Sequence, residues 1–194
     1  MSFHTKNKWV IGLTGSILSG KSTALGYFKD CGAGTISCDE IVRELYKRPA
    51  VLKKIKTALG TTQKDQIAQL VFKSAAQRKT LEKLLHPLIL KEVKAQLKKC
   101  TQTEVVEVPL LFEAGWNHYT DLNIAVLADP KTLPARLKGR KLSLAQYKCR
   151  LKYQWPDEKK AACADVVFFH TDKRQLKQSV TRFCHAFNLL HKQK

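Results

Sequence analysis

Acidic residues are scarce in this chain. Sixteen Asp and Glu stand against thirty-five Lys and Arg over 194 residues, a formal net charge of +19. A surface of that sign attracts polyanions such as nucleotides, phosphorylated cofactors or nucleic acid, and charge alone does not choose among them or separate them from a solvated basic surface. No apolar run approaches the ~20 residues that a membrane-spanning helix needs. The six cysteines form no C-x-x-C pair and no His cluster joins them at zinc spacing, which excludes the common structural zinc sites. No N-x-[ST] glycosylation acceptor, internal repeat or low-complexity segment is present. Lys6 and Lys8 ahead of an apolar stretch imitate a signal peptide, but Lys21 follows soon after and the stretch doubles as a strand. The expectation is a cytoplasmic protein with reduced thiols.

What is present is ordinary for one globular domain: 44% hydrophobic and 26% charged residues. Apolar runs at Trp9–Thr14, Thr35–Cys38, Glu104–Val108, Leu122–Leu127 and Val166–Phe169 read as strands. Helical segments lie between them: Lys21–Asp30, Asp39 to about Tyr46, Lys131–Arg140, Ser143–Trp155 and a closing amphipathic Lys173–Leu190. Five strands alternating with helices predict an α/β fold with a mainly parallel sheet. From Ala50 to Lys99 the chain is basic, helical and strandless, the best candidate for an insertion. His86-Pro87 interrupts that stretch, and Pro87 suits the first turn of a following helix.

The segment Gly15-Ser16-Ile17-Leu18-Ser19-Gly20-Lys21-Ser22 fits the phosphate-loop pattern Gly-x4-Gly-Lys-[Ser/Thr], with a strand before it and a helix after it. Its glycines let backbone N–H groups wrap a phosphate, and the helix start adds the positive end of its dipole. Lys21 is then expected at the outer phosphates and the Ser22 hydroxyl on Mg²⁺. Ligands of such sheets bind at the carboxyl ends of the strands, where Ser37–Asp39 and Pro109–Glu113 also fall. Asp39 reads equally as a carboxylate at the γ-phosphate or as a helix N-cap. Arg136 and Arg140 share a helix face that points either at phosphates or at water. Arg43, four residues after Asp39, makes either a substrate contact or a local salt bridge. His86 is either a ligand contact or a structural histidine, and Glu113 either a site acid or a surface residue. Trp155-Pro156 reads as packing.

Several segments together resemble one family, dephospho-CoA kinase. They are Ile11–Gly15 with Ser19–Thr23; Asp39 with Ile41 and Arg43; Leu70–Phe72; Leu85-His86-Pro87; Val108-Pro109-Leu110-Leu111-Phe112-Glu113; Arg136 and Arg140; Arg150 with Gln154; and Ala164–Val167. The resemblance implies a P-loop kinase fold over 1–194, with a helical acceptor-binding insertion about 47–100 and a mobile lid about 136–160. It implies ATP-dependent phosphorylation of the ribose 3′-hydroxyl of dephospho-CoA, the last step of coenzyme A synthesis. ATP with Mg²⁺ is expected on Gly15, Leu18, Ser19, Gly20, Lys21, Ser22 and Thr23. Asp39 is expected as general base and, with Ser22, at the metal. The resemblance further places Arg136 and Arg140 on ATP phosphates, His170 near adenine, and Arg43, His86 and Glu113 beside the acceptor.

This chain departs from the family pattern in places. Ser16 and Leu18 stand where glycines are usual, and Leu18 is tolerable in a tight loop only if its φ is negative. Ser37 replaces the first carboxylate of an Asp-x-Asp pair. Gly60-Thr61-Thr62-Gln63-Lys64-Asp65 shortens an acidic stretch, with Lys64 in place of an Arg that would offer a bidentate fork. The expected partners are ATP and dephospho-CoA, with no nucleic acid required and no membrane, in a monomer or weak homo-oligomer. The rival readings are another small-molecule P-loop kinase, or a nucleotide- or RNA-binding protein without turnover. No aromatic-rich RNA motif supports the latter.

Overall fold

The computed structural model describes residues 8–100 and 102–191. Lys6 and the Leu190 side chain, both named above, lie outside what is described. Two compact units make up the chain: one holds everything up to Ser37 and from Cys100 onward, the other Cys38–Lys99.

The first unit is built on five parallel strands in the order β2-β3-β1-β4-β5: β1 Val10–Thr14, β2 Gly34–Ser37, β3 Glu104–Glu107, β4 Leu122–Ala128 and β5 Val166–His170. All of β1 and β3 is buried, as expected for central strands covered on both faces. After β1 the chain steps outward to β2 and returns through β3. It then crosses β1 to build β4 and β5 on the other side. That reversal opens a crevice at the carboxyl end of β1, where ligands of such sheets bind. Side-chain carboxylates pin the strand starts: Asp121 Oδ2 accepts from Val10 N at 2.7 Å, and Asp165 Oδ2 from Asn123 N at 2.7 Å.

The helix after the loop, α1 (Lys21–Asp30), packs with the last helix of the unit, Lys173–His191, over one face of this sheet. Leu176 and Val180 are fully buried there, and Phe28, Phe168 and Phe183 meet with ring centroids 5.8–6.2 Å apart. These offset and edge-on pairs add about 0.5–1.5 kcal/mol each beyond their burial.

The second unit is helical throughout: α2 (Cys38–Leu45), α3 (Pro49–Leu59), α4 (Lys64–Lys73) and α5 (Ala75–Lys99). It starts at Cys38, ahead of the expected boundary near 47. Asp39 therefore lies inside the first turn of α2 rather than at its N-cap. The expected break at Pro87 is absent, because α5 runs unbroken through it. Leu85, Ile89, Val93 and Leu97 recur every four residues along its buried face, and their burial outweighs the ~3 kcal/mol that an interior proline costs. Pro87 itself is exposed, so water can satisfy the carbonyl it leaves unpaired.

The remaining helices return to the first unit: α6 (Leu133–Gly139), α7 (Leu144–Leu151), α8 (Asp157–Cys163) and the last helix, α9 (Lys173–His191). The helix α8 was not anticipated; its seven residues begin just after Pro156 and are too few for a periodic pattern. No helix among the described residues is long and apolar enough to cross a membrane.

His86, half-buried in α5, has its pKa lowered from the ordinary 6.5 by burial, with Glu82 opposing. The unfolded chain therefore takes up the proton first. Stability should be full above the ordinary value and fall as pH drops through it, levelling off below the depressed folded value. Urea unfolding across this range should show a shallower slope in His86→Gln than in the native chain; equal slopes would remove His86 as the cause.

Candidate active site

The phosphate loop leaves the carboxyl end of β1 through Gly15, whose φ is 152°. A Cβ there would collide with the Val126 carbonyl oxygen and the Ser19 hydroxyl, so only glycine fits. Ser19 N donates to Ser16 O at 3.0 Å and closes a turn. The third residue of that turn is Leu18, at φ 65°. The expectation of a negative φ is thus wrong: Leu18 takes the left-handed conformation that glycine favours in such a turn. That strain is on the order of 1–3 kcal/mol. A charged partner offsets it, since the Arg136 guanidinium donates from Nη1 to Leu18 O at 2.9 Å, a bond class contributing about 1.5–3 kcal/mol.

Side chains from later in the chain hold the rest of the loop. His170, 2% exposed, sets Nε2 at 2.8 Å from Ser19 O. Its Nδ1 lies 3.0 Å from Asp172 O and 3.4 Å from Arg136 Nη2. Gln154 Oε1 accepts from Ile17 N at 2.8 Å, and the Ser16 hydroxyl donates to Asp157. Lys21 Nζ reaches Ser16 O at 3.2 Å. Arg136 also donates from Nε to Thr132 Oγ1 at 2.8 Å. Burial lowers its pKa from the usual value, with Asp129 opposing, yet a guanidinium stays charged in proteins. Arg136 and His170 therefore hold loop carbonyls and support the loop from behind. Both still line a cavity of about 480 Å³ with Leu18, Gly20, Thr23 and Arg140.

Glu107 ends β3 with 2% exposure. Its Oε1 accepts from the Ser22 hydroxyl at 2.7 Å and its Oε2 from Ser37 at 3.0 Å. Sequence reasoning missed this residue, although a carboxylate inside a buried strand is itself a signal, because such groups are almost always paired. Ser37 now has an explanation. An aspartate there would set a second carboxylate against Glu107, whereas serine donates to it. Hard oxygen donors at Ser22 and Glu107 suit Mg²⁺, which takes few protein ligands and completes its shell with phosphates and water. The Ser19 hydroxyl is buried without a hydrogen-bond partner, as expected of a loop shaped around an anion.

A family-wide sequence profile described as Dephospho-CoA kinase matches residues 9–175. The dephospho-CoA kinase of Coxiella burnetii is 38% identical over 169 residues, spanning 81% of this chain and 85% of that protein. That of Enterococcus faecalis is 32% identical over 179 residues, spanning 86% and 90%. The chain belongs to the dephospho-CoA kinase family. Among solved structures, TT1252 from Thermus thermophilus superposes with a TM-score of 0.84 at 25% identity, covering 94% of this chain and 98% of that one. The dephospho-CoA kinase from Campylobacter jejuni gives 0.62 at 25% identity, covering 92% and 98%. A shikimate kinase from Acinetobacter baumannii, at 0.57 and 11% identity over 94% and 96%, shares the fold alone.

Within this dephospho-CoA kinase family member, residues 136–160 differ in how they are held to the sheet. Residues 154–160 are anchored to the frame by Gln154, Asp157 and a buried ion pair, Lys160 Nζ to Glu113 Oε1 at 3.0 Å. Lys160 is fully buried and also donates to Pro109 O, while Trp155 N donates to the same Glu113 oxygen at 2.8 Å. Trp155 stacks on Phe112 with Lys159 over its ring, which bears out packing rather than recognition. Glu113 thus anchors α8 through one oxygen, and its Oε2 is buried without a partner. By contrast α6 and α7 bury no residue, and Arg140 closes α6 exposed to solvent. Such weakly buried elements are those that move at low cost.

In the helical unit, Asp39 and Arg43 are exposed on α2, with Arg43 Nε donating to Asp39 O at 3.3 Å. Arg43 and Lys64 join Tyr46, Val71, Phe72 and Leu81 around an apolar cavity of about 290 Å³. His86 does not line it. Burial pushes the Tyr46 hydroxyl above its usual pKa, so it remains a donor.

Lys160→Met should destabilise the protein by about 3–5 kcal/mol, because Glu113 keeps a buried charge without its partner. The double variant Lys160→Met, Glu113→Leu should regain most of that loss in denaturant unfolding; equal losses would show that packing, not charge, is at stake.

Proposed function

We propose that this chain transfers the γ-phosphate of ATP to the ribose 3′-hydroxyl of dephospho-CoA, giving coenzyme A, in the cytoplasm where ATP is supplied. The observation that carries this reading is a phosphate loop at the switch point of the sheet in a chain whose family match spans residues 9–175. The loop N–H groups and the start of α1 would hold the phosphates, since the first four N–H groups of a helix lack intrahelical partners. Lys21 would leave Ser16 O for the β- and γ-phosphates. Mg²⁺, held by the oxygens of Ser22 and Glu107, would neutralise charge on those phosphates. The cavity beside Gly20, Thr23 and Arg140 would take the nucleoside end of ATP, and Arg140 would close on the transferring group.

Asp39, two residues beyond the end of β2, would accept the proton of the attacking hydroxyl. Its exposure suits a group that must meet a substrate. Arg43 and Lys64, lining the cavity beside apolar side chains, suit an acceptor that carries a pyrophosphate beside a largely aliphatic arm. Closure of α6 and α7 would exclude water that otherwise hydrolyses ATP. The positive charge of the whole chain favours encounter with both anionic substrates.

The direct test is ADP and coenzyme A formation by the purified protein with ATP, Mg²⁺ and dephospho-CoA. Stoichiometric conversion with dephospho-CoA, and none with nucleosides or shikimate, supports the reading; ATP binding without turnover overturns it. Asp39→Asn should lower kcat by about 10²–10⁴-fold while ATP affinity stays unchanged by calorimetry. An unchanged kcat would return Asp39 to a helix-end role. Glu107→Gln should raise the Mg²⁺ concentration for half-maximal turnover severalfold, measured at fixed saturating ATP. An unaltered Mg²⁺ dependence would confine Glu107 to holding Ser22 and Ser37.

A further inference from the structure

Away from the phosphate loop, the C-terminal end of α1 and the last turns of α9 enclose a cavity of about 220 Å³. Its walls are Ile11, Phe28, Phe183 and Phe187, and two thiols, Cys31 and Cys184, face into it. Cys31 is the C-cap residue of α1, and the two helices pack directly on each other. Both cysteines are half-buried and sit at the edge of the aromatic core, while polar Gln102, Thr103 and Asn188 also border the cavity. Cys31 raises the pKa of the Cys184 thiol, as a close neighbour lining the same cavity does. The other cysteines are placed differently: Cys100 is beside Glu104, Cys38 is buried in the helical unit, Cys149 is on α7, and Cys163 is exposed on α8.

We propose that Cys31 and Cys184 form a dithiol site that reacts with small aliphatic disulfides and closes into an intramolecular disulfide. The two thiols line one small cavity between packed helices, and closing the link requires them to come within disulfide geometry there. Burial, reinforced by the neighbouring Cys31, pushes the Cys184 thiol up to about 12. Cys184 is therefore a poor first nucleophile, because the thiolate is the reacting form. Cys31 attacks first: it loses its proton, bonds to one sulfur of the small disulfide, and expels the other sulfur as a thiol. Cys184 then gives up its proton and attacks the Cys31 sulfur, releasing the second small thiol. In sum, two protein thiols are oxidised and one external disulfide is reduced to two thiols. The resulting link ties the helix behind the phosphate loop to the last helix. Cys31 stands ten residues beyond the loop end of α1, roughly 15 Å along its axis, so the link leaves the loop itself untouched.

The full chain is incubated with excess 2-hydroxyethyl disulfide, alkylated, and examined by intact mass and by peptide mapping without reductant. The expected result is loss of two hydrogen masses and a Cys31–Cys184 linked peptide that dithiothreitol cleaves. Cys184→Ser should instead stop at a stable mercaptoethanol adduct on Cys31. Adducts on Cys31 and Cys184 together in one molecule, without a link, would overturn the proposal. So would reaction confined to exposed Cys163. None of these readouts depends on kinase activity, so failure here leaves the kinase reading untouched, and the reverse also holds.

Discussion

Three carbonyls of the phosphate loop, at Ser16, Leu18 and Ser19, are each taken by a donor side chain: Lys21, Arg136 and His170. An anion-binding loop must turn N–H groups toward its ligand, and a peptide that presents its N–H on one side presents its carbonyl on the other. Capturing the carbonyls from behind therefore sets the loop before any phosphate arrives. This is how the chain carries a leucine at a positive φ that glycine would adopt freely. Glycine would reach positive φ without cost but would leave the loop loose in the unbound state. Leu18 costs strain, and the Arg136 bond to its carbonyl offsets it. The helix bearing Arg136 and the strand bearing His170 are thus coupled to the loop conformation.

Buried charge is the second device. Glu107 and the Lys160–Glu113 pair lie in the sheet unit with almost no solvent access, and each is answered by specific donors or acceptors. Glu107 joins the ends of β2 and β3 to the first turn of α1. Lys160 joins α8 to the segment after β3, so residues 154–160 stay fixed while α6 and α7, without buried side chains, are left to move. Desolvation makes such groups costly unless paired, which is why they occur where position matters more than net stability.

The helical unit follows a different logic. Its long α5 keeps a four-residue apolar rhythm through Pro87, and α2 and α4 pack against it around an apolar cavity that includes two cations. Local propensity predicted a break at Pro87; tertiary burial of Leu85, Ile89, Val93 and Leu97 overrode it.

Much of this was legible from residues alone. Apolar runs and glycine spacing determined five parallel strands, the loop after β1 and the helix behind it, because a buried parallel strand and an anion loop both have local signatures. The last helix was equally plain from its amphipathic stripe. Other features came only from chain segments far apart in sequence. That Arg136 and His170 hold the loop backbone depended on pairings between residues more than a hundred positions apart. Glu107 became informative once Ser22 and Ser37 were found beside it, and Glu113 once Lys160 was. Short α8 had too few residues to show a period. Sequence determines where the backbone can turn and which faces must be buried; it leaves open which polar group answers which, since that pairing is decided by the geometry of packed elements.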